Sequence, residues 1–160
     1  MKYIKYFDEI RISDIAFVGG KNASLGEMIS ALTTKGVRIP QGFAITSQAY
    51  WYYLEQNQLV DKMKIAMSHL TVTSNLSLLA KIAKDIRTMI EHGSIPRDLS
   101  QEIMQAYHML SQHYHVNNCT VAVRSSATAE DLPNASFAGQ QESFLHISGE
   151  KQLLLSYKKC

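Results

Sequence analysis

The stretch from Val121 to Ile147, VAVRSSATAEDLPNASFAGQQESFLHI, decides how this chain is read. The run Cys119-Thr120-Val121-Ala122-Val123 is apolar and rich in β-branched residues, and it predicts a strand that delivers Arg124 at its end. Glu142 to Ile147 predicts a second strand, joined to the first by a polar loop. A guanidinium at a strand end, followed by the hydroxyls of Ser125 and Ser126, presents five donors in a fixed fork suited to phosphate oxygens. The same Arg124 suits an ion pair with Glu130 or Asp131 on the loop, and the residues alone leave both roles open. Ala135 to Gln141 is a loop of small residues around Phe137 whose backbone N–H groups can close over a triphosphate and exclude water. Without further context, an ordinary connection between strands is the simpler reading of that loop.

Working outward, the second informative stretch is Phe17-Val18-Gly19-Gly20-Lys21-Asn22-Ala23-Ser24-Leu25-Gly26-Glu27-Met28. Leu25, Met28, Ile29 and Leu32 have helical spacing with one face inward, and Gly36 suits the residue just past the helix end. Gly19-Gly20 then lie ahead of the helix and Lys21 in its first turn. Unpartnered N–H groups at a helix start favour an anion, and Lys21 adds a full charge. A plain Gly-Gly turn with a solvated lysine explains these residues by themselves more economically. The GxxxxGK[ST] spacing of a Walker loop is missing.

The rest of the chain reads as one short strand and a series of helices. Pro40 to Gly42 is a turn before a short strand, and Thr46 or Ser47 can cap a helix over Gln48–Gln56. In that helix Tyr50, Trp51, Tyr53 and Leu54 read as packing residues. A weaker helix runs from Val60 to Leu70. Leu79, Ile82, Ala83, Ile86, Met89 and Ile90 give an apolar helical face from Ser77 to Glu91, closed by Gly93. Pro96 suits the first turn of a helix that carries Leu99, Ile103, Ala106, Tyr107 and Leu110 inward. A last helix begins at Lys151 and shows no cap or closing glycine before Cys160, so the chain reads as cut within an element. The fold class expected is α+β, with the helix start at Gly19–Lys21 facing the strand end at Arg124.

Composition narrows the functional classes. The 160 residues are 46% hydrophobic, which is the globular range. Sixteen Lys+Arg against fourteen Asp+Glu leave a formal charge of +2 with no clustered basic face, so a nucleic-acid surface is not expected. No apolar run is long enough to span a bilayer, and the charged N-terminus is not a secretory signal, so no membrane partner is expected. Cys119 and Cys160 make neither a disulfide framework nor a CxxC metal pair, and a soluble, cytoplasmic chain is expected. Histidines 69, 92, 108, 113, 115 and 146 show no metal-ligand spacing, and His113 and His115 suit a helix-end surface.

Taken together, FDEIRISD, VGGKNASLGEM, GVRIPQGFAIT and VAVRSSATAEDLPNASFAGQQESFL closely resemble the N-terminal part of the phosphoenolpyruvate synthase (pyruvate, water dikinase) family. The resemblance spans essentially the whole chain, in order. It implies an ATP-grasp-like nucleotide-binding domain of which residues 1–160 are the N-terminal portion, truncated within the domain. In that family ATP phosphorylates a histidine on a separate domain, with release of AMP and phosphate, and the phosphohistidine then phosphorylates pyruvate. Carried over by motif, Lys21 and Arg124 look like ligands of the ATP phosphates, and Gly139, Gln140, Gln141 and Ser143 look like the loop over the triphosphate. Position 143 is more often Thr in the family; Ser143 keeps the hydroxyl and loses the methyl. The adenine-contacting segment, the Mg²⁺-binding carboxylates, the phosphohistidine and the pyruvate-binding barrel are implied to lie outside this segment. Pyruvate would therefore be reached only through the remainder of the enzyme, and no catalytic or metal-binding residue is expected here. Competing readings are a rifampin-phosphotransferase-like ATP-binding segment and a catalytically inactive fragment.

Overall fold

A computed structural model describes residues 2–71, 75–128, 131–132, 135–136 and 142–160. They form a mixed α+β structure, mostly helical with small sheets. The chain divides into two compact units, Met1–Ala49 with Arg97–Cys160, and Tyr50–Pro96.

In the first unit, β1 (Ile4–Tyr6) pairs antiparallel with β2 (Phe43–Ile45), Ile4 opposite Ile45 and Tyr6 opposite Phe43. The N-terminal strand had no clear sequence signal. It is tied down from α6 (Arg97–His113), whose Glu102 carboxylate accepts from the amides of Lys2 at 3.1 Å and Tyr3 at 2.9 Å. Two 3₁₀ turns, Phe7–Glu9 and Ile12–Asp14, lead into the short α1 (Ile15–Val18) and then α2 (Gly20–Leu32).

The buried face of α2 is the expected one only in part: Ile29 is buried as expected, while Met28 is exposed. Ala23, Gly26 and Ile29 face inward, and Ile10, Val18, Ala23 and Ala44 form a core cluster with Phe7 packed against it. The small residues decide this: a Cβ on Gly26 would run into the Ile10 backbone, so only glycine lets the helix approach so closely. Leu25 is left half-buried and Met28 exposed. After α2 a 3₁₀ turn over Thr33–Lys35 ends at Gly36, which is left-handed at φ 81°, as the sequence suggested.

In α6 the expected inward residues Leu99, Ile103, Ala106, Tyr107 and Leu110 are all buried. The helix begins at Arg97, one residue after Pro96. Tyr107 is fully buried, and its hydroxyl donates to the Cys119 carbonyl at 2.6 Å and accepts from the Gly149 amide at 2.8 Å. Ser111 Oγ accepts from the Cys119 amide at 3.1 Å. These bonds fasten to α6 both the entry to β3 (Val121–Arg124) and the turn before α7 (Glu150–Lys159). Cys119, expected as the first strand residue, is instead an anchor ahead of β3.

β3 pairs antiparallel with β6 (Ser143–Ile147) through a bulge. Val121 lies opposite Ile147, but Val123 lies opposite Phe144, so Leu145 and His146 together stand against Ala122. His146 takes φ 57° to do so. Phe144 and Ile147 are three residues apart and would point to opposite faces of a regular strand; the extra residue lets both join Val121 and Val123 on the half-buried side. Arg124 and Ser143 consequently share the exposed side. A short ribbon of β4 (Asp131–Leu132) and β5 (Ala135–Ser136) lies between these strands in sequence.

In the second unit, α3 (Ser47–Gln56, begun in the first) is followed by α4 (Leu59–Ser68) and α5 (Leu76–His92). Asn75 caps α5, its side chain accepting from the Leu78 amide at 2.9 Å. Tyr53 is buried and donates to the Ile90 carbonyl at 2.5 Å, while Trp51 on the same helix is exposed. Of the expected face of α5, Ile82 is buried and Leu79 is nearly half exposed. Among the described residues no helix is long and apolar enough to cross a membrane.

Candidate functional site

The site is built where the start of α2 meets the segment after β3. Gly19 has φ 79° and ψ 163°, a conformation nearly reserved for glycine, and a Cβ there would collide with the carbonyl oxygen and Oγ of Ser126. The backbone is thus flush against Ser126. The Gly20 amide donates to the Ala127 carbonyl at 3.1 Å, and the Asn22 amide donates to Ser126 Oγ at 3.3 Å. Two N–H groups that the sequence reading left open for an anion are therefore satisfied from within the fold. Of the two readings of the Gly19–Lys21 backbone, the anion cradle is corrected and the Gly-Gly turn holds, as a docking joint between segments about a hundred residues apart in sequence. Ser126 was noted only as a hydroxyl beside Arg124; nothing in the local pattern marked it as a cap for a remote helix.

The joint brings two cations to one place. Lys21 and Arg124 line a single open cleft of about 530 Å³, together with Ile12, Ile15, Gly20, Ser24, Leu25 and Met28. Lys21 is half-buried and Arg124 exposed. One wall is apolar, because the 3₁₀ turn at Ile12 and the first turn of α1 leave Ile12 and Ile15 uncovered, and α2 turns Leu25 and Met28 the same way. That wall is held by side-chain bonds. Glu27 accepts from the Ile12 amide at 2.8 Å, and Asp14 accepts from Lys5 Nζ at 2.7 Å and from the Arg11 amide at 3.0 Å. The hydrogen bond from Lys5 is the main reason the Asp14 carboxyl is held below the ordinary carboxylate range, with the Arg11 amide second.

Of the other residues singled out by motif, Ser143 lies directly opposite Arg124 in the ladder, and the Ser125 amide reaches the Glu142 carbonyl at 3.5 Å. Gly139, Gln140 and Gln141 lie outside the described residues, as does Glu130, one of the two loop partners considered for Arg124. No histidine lines the cleft. His113 and His115 are exposed at the end of α6, and His108 Nε2 is 2.7 Å from Glu150 Oε1. Among the described residues no group of three or more His, Cys, Asp or Glu could hold a metal ion. Two cations beside an apolar wall can attract and orient a polyanion.

Comparison with known proteins gives the family of the chain. The family model described as pyruvate phosphate dikinase, AMP/ATP-binding domain, matches residues 15–160. The chain is 49% identical over 160 residues to the phosphoenolpyruvate synthase of Helicobacter pylori, covering 100% of this chain and 20% of that protein. It is 46% identical over 157 residues to that of Aquifex aeolicus, covering 98% of this chain and 18% of the relative. With a probable phosphoenolpyruvate synthase of Methanocaldococcus jannaschii it shares 42% over 160 residues, 13% of the relative's length. The chain thus spans a fifth or less of the length of these curated relatives. With the Gly-Gly-Lys helix start and the Arg-Ser-Ser strand end both inside the matched region, the chain belongs to the pyruvate phosphate dikinase AMP/ATP-binding domain family.

Proposed function

We propose that this chain is the N-terminal segment of the ATP-binding domain of a phosphoenolpyruvate synthase, contributing one wall of an ATP-grasp-like cleft. In the whole enzyme ATP, pyruvate and water would give AMP, phosphoenolpyruvate and phosphate by way of a phosphohistidine carried elsewhere. The observation that carries the reading is the convergence of Lys21 and Arg124 on one cleft. Their charges would hold the ATP phosphates and stabilise the negative charge that spreads over the transferred group. Ser143, across the ladder from Arg124, would add a hydroxyl, and Gly139, Gln140 and Gln141 would close over the triphosphate. Mg²⁺ would be held by carboxylates outside residues 1–160. On this reading pyruvate is met only by the remainder of the enzyme, and the segment alone does not turn over.

The test uses a full-length protein carrying this N-terminus. Lys21→Ala and Arg124→Ala should each slow phosphorylation of the histidine by ATP about 30- to 1,000-fold, about 2–4 kcal/mol. Transfer back from phosphoenolpyruvate to the histidine should remain near normal, because that half-reaction does not use the ATP phosphates. Loss of both half-reactions in a folded variant would refute the assignment.

A further inference from the structure

We infer that Ser126 is a positioning residue: its hydroxyl caps α2 from outside the helix, and this latch, with Gly19, sets the separation of Lys21 and Arg124. The link to phosphate binding rests on the function proposed above; the latch itself rests on geometry alone.

Helix starts are normally capped by a side chain immediately ahead of the first turn. Here that position is Gly19, which has no side chain to offer, and no cap bond comes from it. The acceptor instead comes from 104 residues away, Ser126 Oγ to the Asn22 amide at 3.3 Å, and the next residue supplies the Ala127 carbonyl to the Gly20 amide at 3.1 Å. These two bonds straddle Lys21, and Ser126 lies two residues beyond Arg124. Each cation is thus within two residues of a fixed point of the same joint. Gly19 makes the joint tight, since any larger residue would push the Ser126 backbone away. A rigid joint lets two flexible, charged side chains meet one polyanion without paying to bring their backbones together at binding. Two donors of the α2 start, the amides of Gly20 and Asn22, are spent on the joint, which leaves the side chains on the cleft side to hold the ligand.

The experiment uses the full 160-residue chain, with inorganic tripolyphosphate as the probe and amide hydrogen exchange as a second readout. Ser126→Ala should speed exchange at the Asn22 amide at least tenfold, more than at the buried amides of Ile103 and Tyr107 in α6, which follow the stability of the whole unit, and weaken tripolyphosphate binding about three- to tenfold, the effect of one lost cap. Ser126→Thr keeps the acceptor oxygen and should restore both readouts. Unchanged exchange at Asn22 in Ser126→Ala overturns the latch. Faster exchange with unchanged binding, in a chain whose binding Lys21→Ala does weaken, overturns its positioning role. Should Ser126→Ala lower protection throughout α6, Ser126→Thr decides alone, and failure to restore either readout refutes the proposal. If Lys21→Ala leaves tripolyphosphate binding unaltered, the phosphate reading is what fails, and the latch still stands or falls on the Asn22 amide.

Discussion

Two adjacent glycines should respond to the same substitution in opposite ways. Gly19 sits at φ 79° and ψ 163° with Ser126 against its α carbon, whereas a Cβ added to Gly20 meets nothing within 4 Å. Gly19→Ala therefore carries a backbone penalty of about 1–3 kcal/mol for a conformation that L residues avoid. It must also push Ser126 away, which breaks the bonds from Gly20 to Ala127 and from Asn22 to Ser126, each worth about 0.5–1.5 kcal/mol. The sum is a destabilisation of about 2–6 kcal/mol. Gly20→Ala fills open space at the first helical position and removes backbone freedom from the unfolded chain, so its effect should lie between zero and about 1 kcal/mol of stabilisation. The assay is native-state hydrogen exchange at the Ile103 and Tyr107 amides, which report on the unit containing α2 and α6. Equal values for the two variants, or a loss below about 1 kcal/mol for Gly19→Ala, would refute the tight joint and the reasoning built on it.

Tyr107→Phe strands the buried carbonyl of Cys119 and the amide of Gly149, and should cost about 2–3 kcal/mol by the same exchange measurement while leaving α4 and α5 unaffected. The Asp14 carboxyl, lowered mainly by its bond from Lys5, contributes stability that is fully present above its ordinary value of 3.8 and is lost as pH falls through the lowered one. Urea unfolding of the native chain and of Lys5→Met should therefore differ at neutral pH by up to about 1 kcal/mol for this part-exposed pair, and converge in strong acid; a constant difference across pH would assign the pair no titratable role.

Much of the local structure was legible in the sequence because it is periodic. The inward face of α6, a helix opening beside Gly19 with Lys21 in its first turn, and Gly36 just past its end each follow from residues within a few positions of one another; the helix takes in Gly20 as well, one residue earlier than the sequence implies. The identities of Lys21 and Arg124 as paired cations came from motif resemblance. Strand β1 was missed because three residues carry too little pattern, and its order comes from Glu102, about a hundred residues away. Hydrophobic spacing finds Ile29 on the buried face of α2 but not Ala23 and Gly26, which face the core since only small residues allow that backbone approach. The bulge at His146 was invisible to alternation, which assumes a regular period of two.

By itself, then, the sequence determined the elements and the chemistry available: a helix opening on Gly-Gly-Lys, a strand ending in Arg-Ser-Ser, and a core to hold them. Only the tertiary structure decided that Ser126 and Ala127 take up donors at the start of α2, and that Lys21 and Arg124 line one cleft. The physical reason is that periodicity and capping preferences are short-range, whereas a joint between residues a hundred positions apart exists only when close packing at Gly19 and two hydrogen bonds outweigh the entropy of bringing those segments together.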